Sequence, residues 1–440
     1  MNQQSKFKQT EIGIIPEGWE VRKIKEVGKV ITGKTPSSKN PEYFGGGILF
    51  VTPTDFKNYN KNIFDAERRI SSLGEQKHKN QILPTNSIIV TCIGSDMGKI
   101  AITKVKCLTN QQINSIIIEK DYDYNFIYYK LKSIYSHLKL LATSGSTMPI
   151  VNKSEFENIS LSLPNNSEEQ KSIAKILSDL DSKIELLQKQ NKTLEAIAQA
   201  IFKHWFVDFE FPNEEGKPYK SSGGEMVFNE ELGKEIPKGW EVKNLGEFLN
   251  VIKGCSYKSE DLKESDKALI TLKSINRDGG FNQKGYKEYV GDYKEEQIVK
   301  DGDIVVAQTD LTQAAEVIGT PAIVNSLNRY NELIASLDLQ ILRIKEKLNK
   351  GFAYFLLKTA MFHNHALSYT NGTTVLHLNK NAVSDFKFTL PNENILGKFG
   401  KIAEQILEKA DKNEKEVYIS SQIRDSLLPK LMSGEIRVGG

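Results

Sequence analysis

The sequence predicts an α+β protein with two similar domains joined by two long helices, which are expected to form an antiparallel coiled coil. Three observations support this fold class. The chain restarts at half its length, since "IPEGWEVRK" from Ile15 returns as "IPKGWEVKN" from Ile236. Each copy contains short apolar runs separated by turn residues, a pattern typical of strands. Each copy is followed by a long stretch with helical periodicity. A repeat of half the chain indicates a duplicated domain rather than a solenoid, whose repeats are much shorter.

The composition is that of a folded protein, with 39% hydrophobic and 26% charged residues among 440. This length is enough for two or three domains. No apolar run is long enough to span a membrane, and the opening residues lack the apolar segment of a signal peptide. Cys92, Cys107 and Cys255 are odd in number and lack CxxC spacing, so neither a disulfide framework nor a zinc site is expected. We therefore expect a cytoplasmic protein.

Charge is unevenly distributed along the chain. Residues 1–165 hold 22 Lys plus Arg against 15 Asp plus Glu, a net charge of +7, and the remainder holds 37 against 41, a net charge of −4. A basic first domain is compatible with a polyanionic partner. On charge alone, an ordinary solvated surface explains the excess equally well.

The strand-like runs recur in both copies. In the first copy they are "ILFVTP", "SIIVTCI" and "INSIIIE", and in the second "ALITLKSI", "DIVVAQT" and "LDLQILRI". A helical stretch comes late in each copy, at Phe126–Leu141 and Phe352–Leu367. Each copy then closes with a matching segment, Gly145–Pro164 and Gly372–Pro391, which align without a gap. The order of elements is therefore module, helix, module, helix.

The first long helix is expected to begin with Ser167 as its N-cap and Gln170 at the capping-box position. Its apolar residues alternate spacings of four and three, which predicts a heptad seam with a polar Asn at one core position. The second helix is predicted over Ile395–Leu428, with Pro429 ending it. The predicted seam residues are Leu177, Leu180, Ile184, Leu187, Asn191, Leu194, Ile402, Ile406, Asn413 and Val417.

Both helices have one Asn near the middle of the seam, which favours their pairing. About 35 residues of helix span about 50 Å, so an antiparallel pair would hold the two modules at a fixed distance. The alternative is an ordinary amphipathic core helix. Lys409 and Arg424 lie close to the second seam, so that helix could also pack against other elements. The predicted boundaries are 1–165 for the first domain, 166–205 for the first long helix, 206–235 for a connector, 236–393 for the second domain, and 394–440 for the second helix with the C-terminal tail.

No catalytic or metal-binding pattern is convincing in this sequence. The six histidines form no HExxH motif, "GSDMGKI" lacks the spacing of a phosphate loop, and "EVK" at Glu241 has no paired Asp to hold a metal. A non-catalytic binding protein is therefore predicted. Two modules on a rigid spacer suit DNA, on which phosphate contacts supply affinity and base contacts supply sequence choice.

The loops of both modules are rich in hydroxyl, amide and ammonium groups. For any single residue, a turn or capping role without a ligand is the alternative. The predicted DNA-binding residues are Lys34, Thr35, Ser37, Ser38, Thr54, Lys57, Asn58, Ser146, Thr147, Asn152, Lys153, Ser274, Asn276, Arg277, Thr373, Thr374, Asn379 and Lys380.

Over essentially its whole length the chain resembles the specificity subunit of type I restriction-modification systems. The resemblance rests on "IPEGWE" and "IPKGWE", on "GKTPS" at Gly33–Ser37, and on the two closing segments. Its most specific parts are the connector Ala200–Trp240 and the tail "LLPKLMSGEIRV" at Leu427–Val438. In the second copy "GKTPS" becomes "GCSYK", and the middles of the modules hardly match, which is expected if they read different sequences.

The resemblance implies a non-catalytic subunit whose two target-recognition domains each read one half of a bipartite double-stranded DNA site. The long helices would set the gap and dock two methylation subunits, and endonuclease/translocase subunits would join that core. The chain itself would hold no cofactor, because S-adenosylmethionine, ATP and Mg would be bound by those partners. The alternative function is a non-catalytic scaffold that holds two protein partners without reading DNA.

The connector has an aromatic run, "HWFVDFEF", that includes Trp205, Phe206, Phe209 and Phe211. These side chains are expected to pack at the foot of the first helix, where the chain enters the second module. The alternative is a patch that docks a partner.

Overall fold

The structure is a computed structural model that describes residues 6–58, 61–94, 97–134, 151–277, 279–312, 314–327, 329–372 and 375–438. The chain divides into two compact units. The first unit contains Met1–Leu186 and Ile419–Gly440, and the second contains Leu187–Tyr418. Each unit therefore combines one module with a segment of each long helix.

The first module is built around a five-stranded sheet. Its strand order is Gly28–Thr32, Ile113–Ile118, Ile88–Thr91, Ile100–Thr103 and Asn62–Ile63. Strand Ile88–Thr91 is buried along its whole length, which explains why it reads as a continuous apolar run. The other strands of this unit are Phe7–Thr10, Gly13–Pro16, Trp19–Lys23, Phe44–Val51, Arg68–Ile70, Cys107–Thr109 and Ser160–Pro164. Its shorter helices are Ile24–Val27, Ser72–Lys77, Tyr124–Ser133 and Lys153–Glu157, with 3₁₀ turns at Pro41–Tyr43, Pro53–Asn58 and Lys79–Gln81.

The second module repeats this strand order. Its four-stranded sheet runs Leu249–Lys253, Leu339–Ile344, Ile304–Ala307 and Pro321–Ile323, which match the first four strands of the sheet above. The other strands are Met226–Asn229, Lys234–Pro237, Glu241–Asn244, Lys267–Ile270, Lys287–Glu288, Ile298–Val299, Thr309–Asp310, Glu332–Ala335, Thr370–Asn371, Leu376–Leu378 and Lys387–Leu390. Its helices are Lys350–Leu357 and Ala360–Ser368, with 3₁₀ turns at Leu245–Glu247, Ser259–Asp261, Leu272–Ser274, Gln283–Gly285 and Glu295–Gln297. The internal repeat seen in the sequence is thus a repeat of the fold.

In each module the opening strand pairs with the closing strand. Trp19–Lys23 is antiparallel to Ser160–Pro164, and Glu241–Asn244 is antiparallel to Lys387–Leu390. The two motifs that made the repeat visible therefore lie side by side and close each module. Trp19 is fully buried and Trp240 is 6% exposed. They anchor the core at the same place in the two modules.

The first long helix runs Ser167–Phe202 and is followed by a π-helical segment, Lys203–Val207. The prediction that Ser167 caps this helix is wrong. The side chain of Asn166 accepts a hydrogen bond from the Glu168 N–H at 2.9 Å, as an N-cap does. Gln170 instead reaches back to the module, since its amide donates to the Pro164 carbonyl at 3.0 Å.

The second long helix runs Glu393–Ser433, so the prediction that Pro429 ends it is wrong. Near the end of the helix, Pro429 removes the hydrogen bond to the Asp425 carbonyl, and its ring crowds that carbonyl. The residues beyond it are held by the module, because Leu431 and Met432 are each 1% exposed and Lys130 Nζ donates to the Met432 carbonyl at 2.7 Å. These tertiary contacts keep the final turn helical.

The aromatic run of the connector packs inside the second unit, as the first of the two interpretations predicted. Phe206, Phe209 and Phe211 are 3–4% exposed and belong to the main core of this unit. Phe206 contacts Phe399 of the second long helix with ring centroids 5.1 Å apart, and Phe211 stacks on Trp240 at 4.9 Å. The connector therefore ties the end of the first long helix to the start of the second module. No helix in the described part of the chain is long and apolar enough to cross a membrane.

Candidate nucleic-acid interface

In the first module, the loop after strand Gly28–Thr32 is held against the loop that precedes Ile113–Ile118. The Gly33 N–H donates to the Ile113 carbonyl at 3.1 Å, and the Lys34 N–H donates to the Thr109 carbonyl at 2.8 Å. A Cβ atom at Gly33 would lie 2.2 Å from the Asn110 carbonyl, so only glycine fits this approach. The glycine places the next two side chains, Lys34 and Thr35, at the exposed edge of the module.

A third loop joins this edge through the same segment. The Asn110 N–H donates to the carbonyl of Val51, at the end of strand Phe44–Val51, at 3.2 Å. The turn that follows is organised by Asp55, whose carboxylate accepts from the Thr52 N–H at 2.7 Å and from the Glu67 N–H at 2.9 Å. Asp55 is buried, whereas Thr54 and Lys57 are exposed. The buried acid sets the shape of the turn and its neighbours remain accessible.

The structure adds amide side chains that the sequence reasoning missed. Exposed Gln111 lies beside the glycine loop, and the Thr35 hydroxyl donates to its Oε1 at 2.6 Å. This bond orients the amide and leaves its NH₂ group to donate outward. Behind it, the Asn110 amide donates to Gln112 Oε1 at 2.9 Å. The available signal was the polar run "TNQQ" at Thr109–Gln112, which lies between two strands.

The second module has the same backbone frame. The Gly254 N–H donates to the Leu339 carbonyl at 3.1 Å, and the Cys255 N–H donates to the Ala335 carbonyl at 2.8 Å. A Cβ atom at Gly254 would lie 2.0 Å from the Ser336 carbonyl, which repeats the constraint at Gly33. The Ser336 N–H donates to the Ile270 carbonyl at 2.9 Å, as Asn110 does to Val51.

The turn after strand Lys267–Ile270 is also repeated. The Thr271 N–H donates to Ser274 Oγ at 3.2 Å, just as the Thr52 N–H donates to Asp55. Ser274, a predicted DNA-binding residue, is fully buried. In the structure its hydroxyl holds the turn and does not reach solvent.

The two frames carry different side chains at matching positions. The strand registers, Thr32 opposite Asn114 and Lys253 opposite Gln340, fix the correspondence. Cys255 then replaces Lys34, Leu337 replaces Gln111 and Asp338 replaces Gln112. Lys34 and Gln111 are both exposed, and each offers hydrogen-bond donors that its replacement does not. The structure therefore presents one scaffold with two chemically distinct edges.

The remaining predicted DNA-binding residues are distributed more widely. Ser37, Ser38, Lys57 and Lys380 are exposed. Asn152 caps the helix Lys153–Glu157 by accepting from the Glu155 N–H at 3.0 Å, and Lys153 pairs with Glu157 at 3.4 Å.

In the second module, Arg277 pairs with Glu316 at 2.9 Å, and Asn379 accepts from the Asn381 N–H at 2.9 Å. Asn276 is half-buried and lines a cavity of the second unit. Ser146, Thr147, Thr373, Thr374 and the side chain of Asn58 lie outside the described residues.

In the first unit a polar cluster joins the module to both long helices. Asp181 of the first long helix accepts from the Tyr129 hydroxyl at 2.6 Å and from the Arg424 guanidinium at 2.8 Å. Lys61 is 5% exposed, and its ammonium donates to the Tyr129 hydroxyl at 3.0 Å and to Ser178 Oγ at 2.8 Å. Burial lowers the pKa of Lys61 to about 8, although Asp181 and Glu185 partly offset that effect. Arg424, which lay close to the predicted seam, thus has its partner on the first long helix.

In the second unit the two long helices meet through the predicted asparagines. Asn413 donates to Asn191 Oδ1 at 2.8 Å, and Asn191 donates to the Ala410 carbonyl at 3.1 Å. Glu195, one turn further along, accepts from the Tyr354 hydroxyl at 3.0 Å and pairs with Lys358. All of the predicted seam residues on both helices are buried or half-buried.

The described residues contain no group of three or more His, Cys, Asp or Glu side chains that could hold a metal ion. The three cysteines are buried. Burial raises the pKa of Cys92 to about 11 and that of Cys107 to about 12, which disfavours the reactive thiolate. The accessible chemistry of both edges is that of hydrogen-bonding and charged side chains, which suits recognition.

Comparison with known proteins agrees with this arrangement. The family described as "Type I restriction modification DNA specificity domain" matches residues 16–196 and 237–423, once in each half of the chain. The chain therefore belongs to this family of specificity subunits, which are non-catalytic and leave the catalytic activities to partner subunits.

Particular relatives extend over the whole chain. It is 34% identical to the type I restriction enzyme MjaIX specificity subunit of Methanocaldococcus jannaschii, over 99% of this chain and 97% of that protein. It is 26% identical to the MjaVIII specificity subunit of the same organism, over 96% of this chain and 94% of that protein. Among solved structures, the S subunit of a type I restriction-modification system from M. genitalium matches with a TM-score of 0.57 and 18% identity. That match covers 98% of this chain and 97% of the other and shows a shared fold.

Proposed function

We propose that this chain is the sequence-reading subunit of a type I restriction-modification complex and that each module reads one half of a bipartite DNA site. The observation that carries the proposal is the duplicated frame around Gly33 and Gly254, which presents different side chains in its two copies. Two identical readers would need identical side chains. The first module has Lys34 and Gln111 where the second has Cys255 and Leu337. This difference suits two different half-sites.

The exposed residues divide into two proposed roles. Gln111 has an oriented amide that can bind a base edge, and amide side chains suit adenine in the major groove. Lys34, Lys57 and Lys380 supply ammonium groups for phosphates, which position the protein without selecting sequence. The hydroxyls of Thr35, Ser37, Ser38 and Thr54 can serve either purpose.

The two long helices are proposed to pair as an antiparallel coiled coil. In the first unit Asp181 contacts Arg424, and in the second Asn191 contacts Asn413, so residue numbers rise on one helix as they fall on the other. In this role the helices set the separation of the half-sites. With the predicted boundaries, we propose that the two domains read DNA and that the helices and the connector hold them apart.

The same helices are proposed to dock two methylation subunits. Four of their large apolar side chains are exposed: Leu186 and Ile197 on the first, and Ile419 and Ile423 on the second, at 44–56%. Docking of a partner would remove these apolar side chains from water. S-adenosylmethionine, ATP and Mg are proposed to bind to the methylation and endonuclease subunits, not to this chain.

The test is a footprint of the chain with its methylation subunit on DNA that carries the split target. Exchange of the second module for one from another specificity subunit is expected to change one half-site and leave the other unchanged. Footprints that stay the same after the exchange would contradict the proposal. A chain that captures its protein partners but shifts no DNA at low salt would be a scaffold instead.

A further inference from the structure

The second unit contains a cavity of 590 Å³ between its module and its segments of the two long helices. Apolar side chains such as Phe281, Ile323 and Leu407 form part of the wall. The charged part of the wall is mainly acidic, with six carboxylates against three lysines. The carboxylates are Glu195, Asp301, Glu404, Glu408, Asp411 and Glu414, and the lysines are Lys192, Lys350 and Lys415.

Four of these carboxylates form a row on one face of the second long helix. Glu404, Glu408, Asp411 and Glu414 are spaced by four, three and three residues, so they project from the same side. At about 1.5 Å per residue, neighbouring members are about 4.5–6 Å apart along the axis. Burial, with the nearby charge of Asp411, raises the pKa of Glu414. The row is a strip of carboxyl groups beside an apolar wall, and Glu414 is the member whose ionisation burial disfavours.

Some of the acids already have partners within the unit. Asp411 pairs with Lys415 at 2.7 Å and accepts from the Asn325 amide at 2.8 Å. Glu195 pairs with Lys358 and accepts from Tyr354. Glu404 and Glu408 are exposed to the cavity mouth and extend the strip toward solvent.

The corresponding place in the first unit can be identified from the repeat. Thr52 and Thr271 start equivalent turns, and the ninth residue after each is Lys61 and Gly280, respectively. On the long helices, the buried residues Ile173 and Leu177 correspond to the buried residues Phe399 and Ala403, which lie 226 residues later in the chain. The same offset makes Glu404 the counterpart of Ser178.

The two units differ in the charged groups at this place. In the first unit the Lys61 ammonium reaches Ser178 Oγ at 2.8 Å and fills the space between module and helices. In the second unit Gly280 has no side chain, a carboxylate replaces the serine, and both residues line the cavity. The second unit also has an ammonium beside this turn, that of Lys358 next to Gly279, but it pairs with Glu195 of the first long helix. The Glu404 carboxylate therefore faces the cavity with Gly280, not a lysine, in the place of Lys61.

We propose that this cavity binds a linear polyamine. Its ammonium groups would pair with Glu404, Glu408 and neighbouring acids, since three- and four-carbon links space ammonium groups over distances comparable to the carboxylate row. Its methylene segments would pack on Phe281, Ile323 and Leu407. A bound polyamine bridges the module and the second long helix, and so stabilises the second unit.

The test is calorimetric titration of the full chain with spermidine in the absence of DNA. Saturable binding of one spermidine per chain is expected. Butylamine, which has one ammonium group, is expected to bind at least tenfold more weakly. The double variant Glu404→Gln/Glu408→Gln is expected to weaken spermidine binding at least tenfold, and each single variant is expected to weaken it by less.

The matched control is Glu346→Gln/Glu416→Gln, which makes the same change in net charge outside the cavity wall and should leave the affinity within twofold. Thermal unfolding of each variant checks that it is folded. Absence of saturable binding to the wild-type chain would overturn the proposal. So would equal weakening by the two double variants, because that result indicates general attraction to an acidic surface.

Discussion

Asn413 of the second long helix donates a hydrogen bond to Asn191 of the first over 2.8 Å, and Asn413 is only 1% exposed. The Asn191 amide in turn donates to the Ala410 carbonyl, and both bonds exist in one register only, because a shift of either helix would leave the buried Asn413 amide without its acceptor on Asn191. This pair therefore specifies which residues of the two helices face each other in the second unit.

Replacement of either asparagine is expected to be costly and the two effects to be coupled. Asn191→Ala leaves the Asn413 amide buried without this partner, which costs about 1–3 kcal/mol in unfolding free energy. The double variant Asn191→Ala/Asn413→Ala should lose less than the sum of the singles, with a coupling of about 0.5–3 kcal/mol. Denaturant titration measures both. Lys189→Ala, at an exposed position on the same helix, is the control, and strictly additive losses would contradict the pairing.

The ion pair between Asp181 and Arg424 is expected to be important to the first unit. Asp181→Ala removes one of the two carboxylate partners of the half-buried Arg424 and the acceptor of Tyr129, so we expect a loss of about 1–3 kcal/mol. Asp425 also pairs with Arg424, but it is 57% exposed, so Asp425→Ala should change stability by less than about 1 kcal/mol. Similar losses in the two variants would show that burial does not distinguish the two carboxylates.

Because of Lys61, the free energy of unfolding of the first unit is expected to change with pH in the alkaline range. Its pKa is about 8 in the folded chain, below that of an exposed lysine, because burial disfavours the charge. Between pH 8 and about 10 the unfolded chain therefore holds more protons, so the free energy of unfolding rises with pH across this window.

The measurement compares the wild-type chain with Lys61→Met. The difference in unfolding free energy between them should increase with pH by at most about 1.4 kcal/mol per unit from pH 8 to about 10, and stay constant below pH 7. Lys57→Met, at an exposed lysine, should produce no such slope. Parallel pH profiles for the wild type and Lys61→Met would contradict the prediction.

Gln111 and Lys57 are expected to affect DNA binding differently. Gln111→Ala should reduce discrimination at one position of one half-site by about 1–3 kcal/mol and leave the other half-site unchanged. Lys57→Ala should weaken binding to all sequences alike and lower the slope of affinity against salt by about one. Gel shifts on a panel of single-base variants at several salt concentrations, with the methylation subunit present, separate the two. Loss of discrimination in Lys57→Ala, or a uniform loss in Gln111→Ala, would reverse the assignment.

Phe206 is expected to be essential to the fold of the second unit. Phe206→Ala removes a 4% exposed ring that contacts Phe202, Phe352 and Phe399, and should cost about 3–5 kcal/mol. Phe228→Ala, at a ring 62% exposed on a hairpin, should stay within about 0.5 kcal/mol. Calorimetry without DNA or partners measures both. A stable Phe206→Ala chain that no longer binds the methylation subunit would favour a docking role.

The repeat and the helices could be predicted from the chain because their signals are local. "IPEGWEVRK" and "IPKGWEVKN" mark strands that close each module, and the two asparagines interrupt otherwise apolar heptads. The strand-like runs also became strands, although the strand of the first run begins four residues early, at Phe44, and the strand of "ALITLKSI" ends five residues early, at Ile270. Periodicity records which face of an element is buried, so one sequence suffices to detect it.

The ends of the helices were less predictable. Pro429 stays helical because Leu431 and Met432 are held by the first module, and Asn166 rather than Ser167 became the cap. The first outcome depends on contacts with residues far away in the chain, whereas the second is a local choice between adjacent residues that can both cap a helix. Local propensity alone gives the opposite answer at Pro429.

The sequence by itself determined a duplicated module, two long amphipathic helices and a polar character for the loops, since each of these follows from residue order. Only the tertiary structure decided that Gln111 is oriented by Thr35, that Ser274 is buried, and that Lys61 bonds to Ser178 whereas Gly280 lines a cavity. Hydrogen bonds between loops distant in the chain set those roles. Exposure and partner choice depend on how loops approach one another, and no local pattern of residues records that approach.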